Sequence, residues 1–386
     1  MGEALLVRKG GENVSAEVAT QKADIELLAK LIAEIQLDAN DVYVWSKYTS
    51  NGGDLLDYVY SYNSSTYPEA GTQGGYYYKI VRPTLVSIEI TTQPTKTNYA
   101  AGDSFDNTGM VVTATYDTGT KKEITSYTAT PSTFSTTGSQ TVTISYTENG
   151  ITKTDTLTVN VIAIGDFATS SWNAIHTAVQ AAIDGVDLSN HWSIGDTKSV
   201  TLTTGEVIEL QIADFNHDTY SDGVTAPVTF VMKNCLNAKA PMNSSNTNTG
   251  GYPASAMKTY VETNIYEKLP ADLKSIVEPV KKKWYTIYSS TSSLSEASYN
   301  VWLLSEMEVF GTILYTVGNG EGTKYAIFTD DASRVKKVGS SSNWWWLGSC
   351  YSNYGDAFVL VNSNGGVNYN IAAASAGGVV VGLCIR

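Results

Sequence analysis

Cysteines, histidines and paired acids are the residues of this chain that could do chemistry, and it has only three Cys and three His. Cys235, Cys350 and Cys384 lack zinc-type spacing and are too few for a disulfide framework. Cys384 lies in an apolar, strand-like terminus, VVVGLCI, and no His follows His217. No imidazole in the C-terminal third can therefore serve a thiol as base. His217-Asp218, in ADFNHD, could be a metal or catalytic pair, but a structural hydrogen-bonded pair at a strand–turn is the simpler reading. His176 and His191 have no partners at ligand spacing. A calcium-lectin site needs clustered carboxylate and amide oxygens. The acids to weigh are Asp330-Asp331 and Glu306 with Glu308, and residues 347–386 hold one acid, Asp356. Glycoside hydrolysis needs two facing carboxylates, and no spacing singles out a pair. The expectation is a non-enzymatic protein with no catalytic residue, metal ligand or cofactor.

Composition narrows the partners. Lys and Arg total 25 against 38 Asp and Glu, a net charge of −13, which argues against nucleic acid and anionic membrane surfaces. Tyr is overused, 25 against 8 Phe and 8 Trp. No run is long enough for membrane insertion, and the first residues carry no apolar stretch of signal-peptide length.

The elements that would position such a surface divide the chain into four. Residues 1–38 hold a strand at Ala4–Val7 and then an amphipathic segment, Ala16–Leu37, with Ser15 as N-cap. Val18, Ile25, Leu28, Ile32 and Ile35 fall on heptad core positions. The helix either packs on its own chain or forms a coiled-coil homo-oligomer, a trimer before a dimer. Residues 39–83 are aromatic and Gly-punctuated, and short hairpins in a small β module fit them better than a carbohydrate-stacking platform. Residues 84–162 alternate apolar and Thr/Ser positions at Leu85–Ile90, Met110–Tyr116, Thr141–Tyr146 and Thr154–Val161, the pattern of a β-sandwich. Residues 163–386 are the largest unit. Helices are expected at Phe167–Asp184, Ala254–Tyr266 and Ala271–Lys282, strands near Ser199–Leu202, Val207–Phe215 and Val228–Val231, and short strands beyond Tyr315.

Two stretches carry resemblances. NYAAGDSFDNTGMVVTATYDTGT followed by STTGSQTVTISYTENGITKTDTLTVNV resembles the bacterial immunoglobulin-like repeats of surface and phage proteins, which act mostly as spacers. HWSIGDTKSVTLTTGEVIELQIADFNHD, TFVMKNCL, GGYPASAMKTYV, LPADLKSIVEPVKKKW, VWLLSEMEVFG and NWWWLGS, closing on GVVVGLCI, resemble in that order the ligand-binding domain of variable proteins diversified by retroelements. That family implies an α+β C-type lectin fold, related to the formylglycine-generating enzymes. It also implies a mechanism. An error-prone reverse transcriptase mutates template adenines, so Asn codons (AAC) become many codons but never those for Lys, Glu, Gln, Met or Trp.

Residues 347–386 contain none of those five, although all five occur elsewhere in the chain. Tyr, Ser, Gly and Asn dominate there, as in an antibody paratope. The resemblance implies a variable region of about 344–380. The positions assigned to hold the fold are Trp345, Trp346, Leu347, Gly348, Phe358, Val359, Val361, Gly378, Val379, Gly382, Cys384 and Ile385. The ligand-facing candidates are Trp344, Tyr351, Asn353, Tyr354, Asp356, Ala357, Leu360, Gly366, Asn368, Tyr369, Asn370, Ile371, Ala374 and Ala376. Leu360 and Ile371 are expected exposed, because random substitution puts apolar side chains where selection for solubility would not. Trp344 cannot arise from AAC by adenine change and fits a constant neighbour. Cys350 stands where relatives usually carry Pro after Leu-Gly-Ser. It is open whether it varies, is a buried thiol or pairs with Cys384. The expected role is recognition of a host cell-surface protein or glycan by a phage tail protein on the virion, or by an extracellular protein. The rival is a structural tail or cell-surface protein with no diversified site.

Overall fold

The structure, a computed structural model, describes residues 83–287, 294–370 and 373–386 and, upstream, the backbone of five strands. The protein is multidomain and divides into two compact units; the described residues are mostly β, with few and short helices. No helix among the described residues is long and apolar enough to cross a membrane.

In the first unit, β1 (Gly2–Arg8), β2 (Asn13–Val18), β3 (Val42–Ser46), β4 (Tyr58–Ser61) and β5 (Tyr76–Lys79) form one antiparallel sheet in the order β2-β1-β3-β5-β4. The expected strand Ala4–Val7 lies within β1. Ser15 is no helix cap. Ser15–Val18 end β2 in register with β1, Ala4 opposite Ala16, and those ladder bonds outweigh a costly helix nucleus. Val18, the first heptad position, is also in β2, opposite Gly2, and the rest of the expected helix, with Ile25, Leu28, Ile32 and Ile35, lies outside the described residues. The same unit holds a three-stranded sheet of Leu85–Thr92, Val111–Tyr116 and Lys121–Ile124, in that order.

The immunoglobulin-like segment runs from β6 (Leu85–Thr92) through β7 (Asn98–Ala100), β8 (Val111–Tyr116), β9 (Lys121–Ile124), β10 (Thr128–Thr130) and β11 (Gly138–Glu148) to β12 (Ile151–Ile162). Along β8 every second residue, Val112, Ala114 and Tyr116, is buried, the period that pleating imposes. The strands of this segment include the sheet β10-β11-β12-β7, in which β7 lies parallel to β12. Strands β7, β9 and β10 escaped the alternation pattern because each is only three or four residues long.

The C-terminal part of the second unit is built on β13 (Thr197–Thr201), β14 (Val207–Phe215), β15 (Val228–Met232), β25 (Val381–Ile385) and β16 (Val277–Glu278), in that order, with β19 (Trp302–Leu303) also paired to β25. The last strand of the chain thus lies inside the largest sheet. Helix Trp172–Ile183 is started by Ser171, whose side chain accepts from the Ala174 N–H, and buries Trp172, Ile175 and Val179. The expected helix Ala254–Tyr266 is broken at Ser255, which caps a new helix, Ala256–Asn264. The expected helix Ala271–Lys282 stops at Lys274. Pro279 forces Glu278 into extended backbone, and Val280, Lys282 and Trp284 then alternate inward along β17 (Val280–Tyr285), which pairs with β18 (Leu294–Tyr299). Two small sheets follow, β20 (Lys336–Val338) with β21 (Ser341–Asn343), then β22 (Trp345–Cys350), β23 (Phe358–Val361) and β24 (Val367–Asn370) in chain order.

Candidate functional site

The sheet β22-β23-β24 carries the stretch of biased composition, and its anchors are apolar. Trp345, Trp346, Leu347, Phe358, Val359, Val361, Val379, Cys384 and Ile385 are fully buried, as a scaffold requires. The indoles also bind backbone. Trp345 Nε1 donates to the Arg334 carbonyl at 3.0 Å and Trp346 Nε1 to the Ala240 carbonyl at 3.1 Å. Gly348 passes Trp284 so closely that a Cβ would lie 2.3 Å from the indole. At the far hairpin Gly365, at φ +89°, leaves no room for a Cβ, which would lie 1.8 Å from the Asp331 carbonyl oxygen.

Tyrosines gather where β22 and β24 meet the loop after helix Glu306–Phe310. Tyr351 and Tyr369 stack with centroids 3.9 Å apart and planes 13° apart. Tyr315 meets both edge-on, at 5.6 and 5.3 Å, and Tyr354 lies 5.6 Å from Tyr351. Tyr351 is the floor of the cluster, 6% exposed, while Tyr354 stands out at 52%. The Tyr351 hydroxyl accepts from Asn353 Nδ2 at 3.1 Å. Offset and edge-to-face rings of this kind hold one another rigid.

Of the ligand-facing candidates, Asn353, Tyr354, Asn368, Ala374 and Ala376 are exposed, and Asp356, Gly366 and Tyr369 are half-buried. Trp344 is half-buried, edge-on to Trp346 at 4.9 Å, where a constant neighbour belongs. Three candidates are corrected. Ala357 is fully buried, Leu360 is 5% exposed, and Tyr351 is covered by the rings around it. Leu360 fails because alternation exposes one face only if that face meets water. Strand β23 is central, paired through Leu360 to Trp346 on one side and Asn368 on the other, and all four of its residues are buried. Ile371 and the side chain of Asn370 lie outside the described residues.

The turn that carries Tyr354 is clamped from a distance by Asn248, a residue the sequence reading passed over. Its backbone N–H donates to the Gly355 carbonyl at 2.7 Å. Its Nδ2 donates to the carbonyls of Tyr354, at 2.9 Å, and Ala357, at 2.8 Å. In the same loop Asn246 Oδ1 accepts from the Ala374 N–H at 3.1 Å. The signal was the Asn-rich run NSSNTNTGG, legible as a turn but silent about what it would touch.

The groups considered for chemistry have structural duties. Asp218 accepts from Lys282 Nζ at 2.5 Å, the Tyr325 hydroxyl at 2.9 Å and Thr229 Oγ1 at 2.7 Å, and Lys282 also bonds Glu308. Burial works against the Asp218 charge, but Lys282 and the bonds around it hold its pKa well below the usual carboxylate range. His217 bonds Thr323 Oγ1 at 2.9 Å, with Nδ1 3.7 Å from Asp218. Glu306 accepts backbone N–H groups from Leu314, Tyr315 and Thr316, and Glu308 completes a capping box with Ser305. Asp330 caps the helix Asp331–Arg334, and Asp331 pairs with Arg334. Among the described residues no group of three or more His, Cys, Asp or Glu could hold a metal ion. All three thiols are free and buried, so Cys350 and Cys384 are unpaired. Burial raises the pKa of each, the reverse of what a nucleophilic thiolate needs.

No curated protein matches the chain. Residues 227–386 match the model of a domain of unknown function (DUF6273), which covers the three-stranded sheet and its clamps. Residues 92–161 match the bacterial Ig-like domain (group 3), in agreement with strands β7 to β12, and this part of the chain is a bacterial Ig-like domain.

Proposed function

We propose that the chain is a non-enzymatic binding protein whose C-terminal surface is diversified by retroelement-directed adenine mutagenesis, and that it recognises a host surface as part of a phage tail. One observation carries this reading. Within residues 347–386, which lack Lys, Glu, Gln, Met and Trp, the apolar scaffold is buried while Asn353, Tyr354, Asn368, Ala374 and Ala376 stand at the surface. A scaffold that keeps its core apart from its outward positions can accept changes at the latter without unfolding. The C-type-lectin-type fold belongs to the same proposal. It is supported by the order of the motifs and by an α+β domain whose final strand is central while a separate small sheet bears the surface.

The test is genetic. Sequencing this locus from many isolates is expected to show substitutions confined to outward positions and traceable to adenines in an adjacent near-duplicate of the 3′ end, with a reverse transcriptase gene nearby. A C-terminus uniform across isolates, without the duplicate, would overturn diversification and favour a structural tail or cell-surface role.

A further inference from the structure

The loop Gly311–Thr316 lies outside the stretch of biased composition, yet it borders the tyrosine cluster. Ile313 and Leu314 are 46% and 48% exposed. Next to them Tyr315 touches Tyr351 and Tyr369, and its carbonyl accepts from the Ser352 N–H at 2.9 Å. Nor is the loop loose. The fully buried Glu306 carboxylate receives the N–H groups of Leu314 at 3.2 Å, Tyr315 at 2.9 Å and Thr316 at 2.8 Å. About half of each aliphatic side chain stays in water, next to the exposed Tyr354 cluster, and contiguous exposed apolar surface of this kind marks contacts with another molecule.

We infer that Ile313 and Leu314, joined to Tyr354 and Tyr369 through Tyr315, form one recognition surface, half variable and half constant, that fits the apolar face of a protein. The inference rests on the binding role proposed above and adds to it both the constant half and the class of ligand. Charge and geometry favour protein over glycan. Residues 311–320 carry no charge and residues 344–376 only Asp356, in a chain of net charge −13. Affinity must then come from apolar burial and neutral hydrogen bonds, the chemistry of an interface core with aromatic anchors. One face of Tyr369 is spent on Tyr351, and the aliphatic pair offers a sugar no hydrogen bond. The loop is already ordered, so little entropy is lost when a partner docks.

The test uses the immobilised full chain, a displayed library of random peptides and, in parallel, a glycan array. Counter-selection is against the Leu314→Ser/Tyr354→Ala double variant; both side chains are exposed, so the fold should survive their loss. The expected result is enrichment of peptides rich in apolar residues. Their affinity should fall about tenfold or more with Leu314→Ser and with Tyr354→Ala, and stay unchanged with Val207→Ser, an exposed apolar control in β14. Peptides that respond to Tyr354→Ala but not to Leu314→Ser or Ile313→Ser would remove the constant half and leave the binding role standing. Binding to glycans alone, or no enrichment over the double variant, would overturn the protein-ligand assignment. Binders indifferent to Tyr354 as well would count against the whole surface.

Discussion

Asp218, Glu308 and Lys282 put two carboxylates and one ammonium in the same buried cluster, with the Lys282 ammonium also 4.3 Å from the Trp302 ring. Lys282→Met leaves two buried charges without their counter-ion and is expected to cost about 3–5 kcal/mol, measured by urea unfolding at pH 7. Glu321 tests the opposite sign. Burial pushes its pKa up to about 7, only partly offset by bonds from Ser349, the Tyr285 N–H and Thr316. The folded state therefore holds this proton more tightly than the unfolded chain does. The resulting stability is complete below about pH 4.5 and is lost as pH rises through about 7. Relative to Glu321→Gln, the wild type should lose about 2–4 kcal/mol between pH 4.5 and pH 8 in urea titrations. His217, whose pKa is also raised, loses its contribution in a similar direction, so the variant and not the bare pH profile isolates Glu321. Asp218 behaves oppositely, and its contribution is lost only in strong acid.

At the scale of elements, the turn between β22 and β23 depends on Asn248. Removing that amide takes the side-chain donor from the Tyr354 carbonyl and leaves the Ala357 carbonyl with the Tyr351 N–H alone. Asn248→Ala should cost about 1–3 kcal/mol and speed hydrogen exchange at residues 353–357 more than elsewhere in the sheet. How far such elements could be read in advance depended on whether the deciding contact was local. The apolar spacing of Trp172, Ile175, Val179 and Ile183 announced the helix and its end to within one residue, but the expected start at Phe167 is five residues early, because Ser171 caps the helix. The paired tryptophans, Phe358 and the Val379 run announced the scaffold through their size and apolarity. Helix Ala271–Lys282 was misjudged although Pro279 was a local signal against it; its Ala-Asp-Leu-Lys start does form one helical turn, and beyond Pro279 the chain pairs with β18. Leu360 was misjudged for a non-local reason, since all four residues of β23 are buried and alternation within the strand cannot announce that. The Asn248 clamp and the Glu306 loop anchor were equally invisible. Each is a polar side chain whose partners are fixed only by the tertiary fold.

For the whole molecule, the separation of scaffold from surface makes a sharp forecast. A library varied at Asn353, Tyr354, Asn368, Ala374 and Ala376 should unfold within a few degrees of the parent, because exposed positions mostly change stability by about 0.5 kcal/mol or less, with the largest shifts at Asn353 and Tyr354, which touch Tyr351. Leu360→Asn, by contrast, should lose about 2–5 kcal/mol, since it removes a buried apolar side chain and buries an amide. Differential scanning calorimetry on both sets decides the matter. The three cysteines bear on where such a molecule can work. Each is sealed in the interior, unoxidised and without a thiol within bonding reach, so no covalent cross-link has to form or break when the surroundings change. The domain should melt at the same temperature with or without dithiothreitol. Its shape is the same in reducing and in oxidising surroundings.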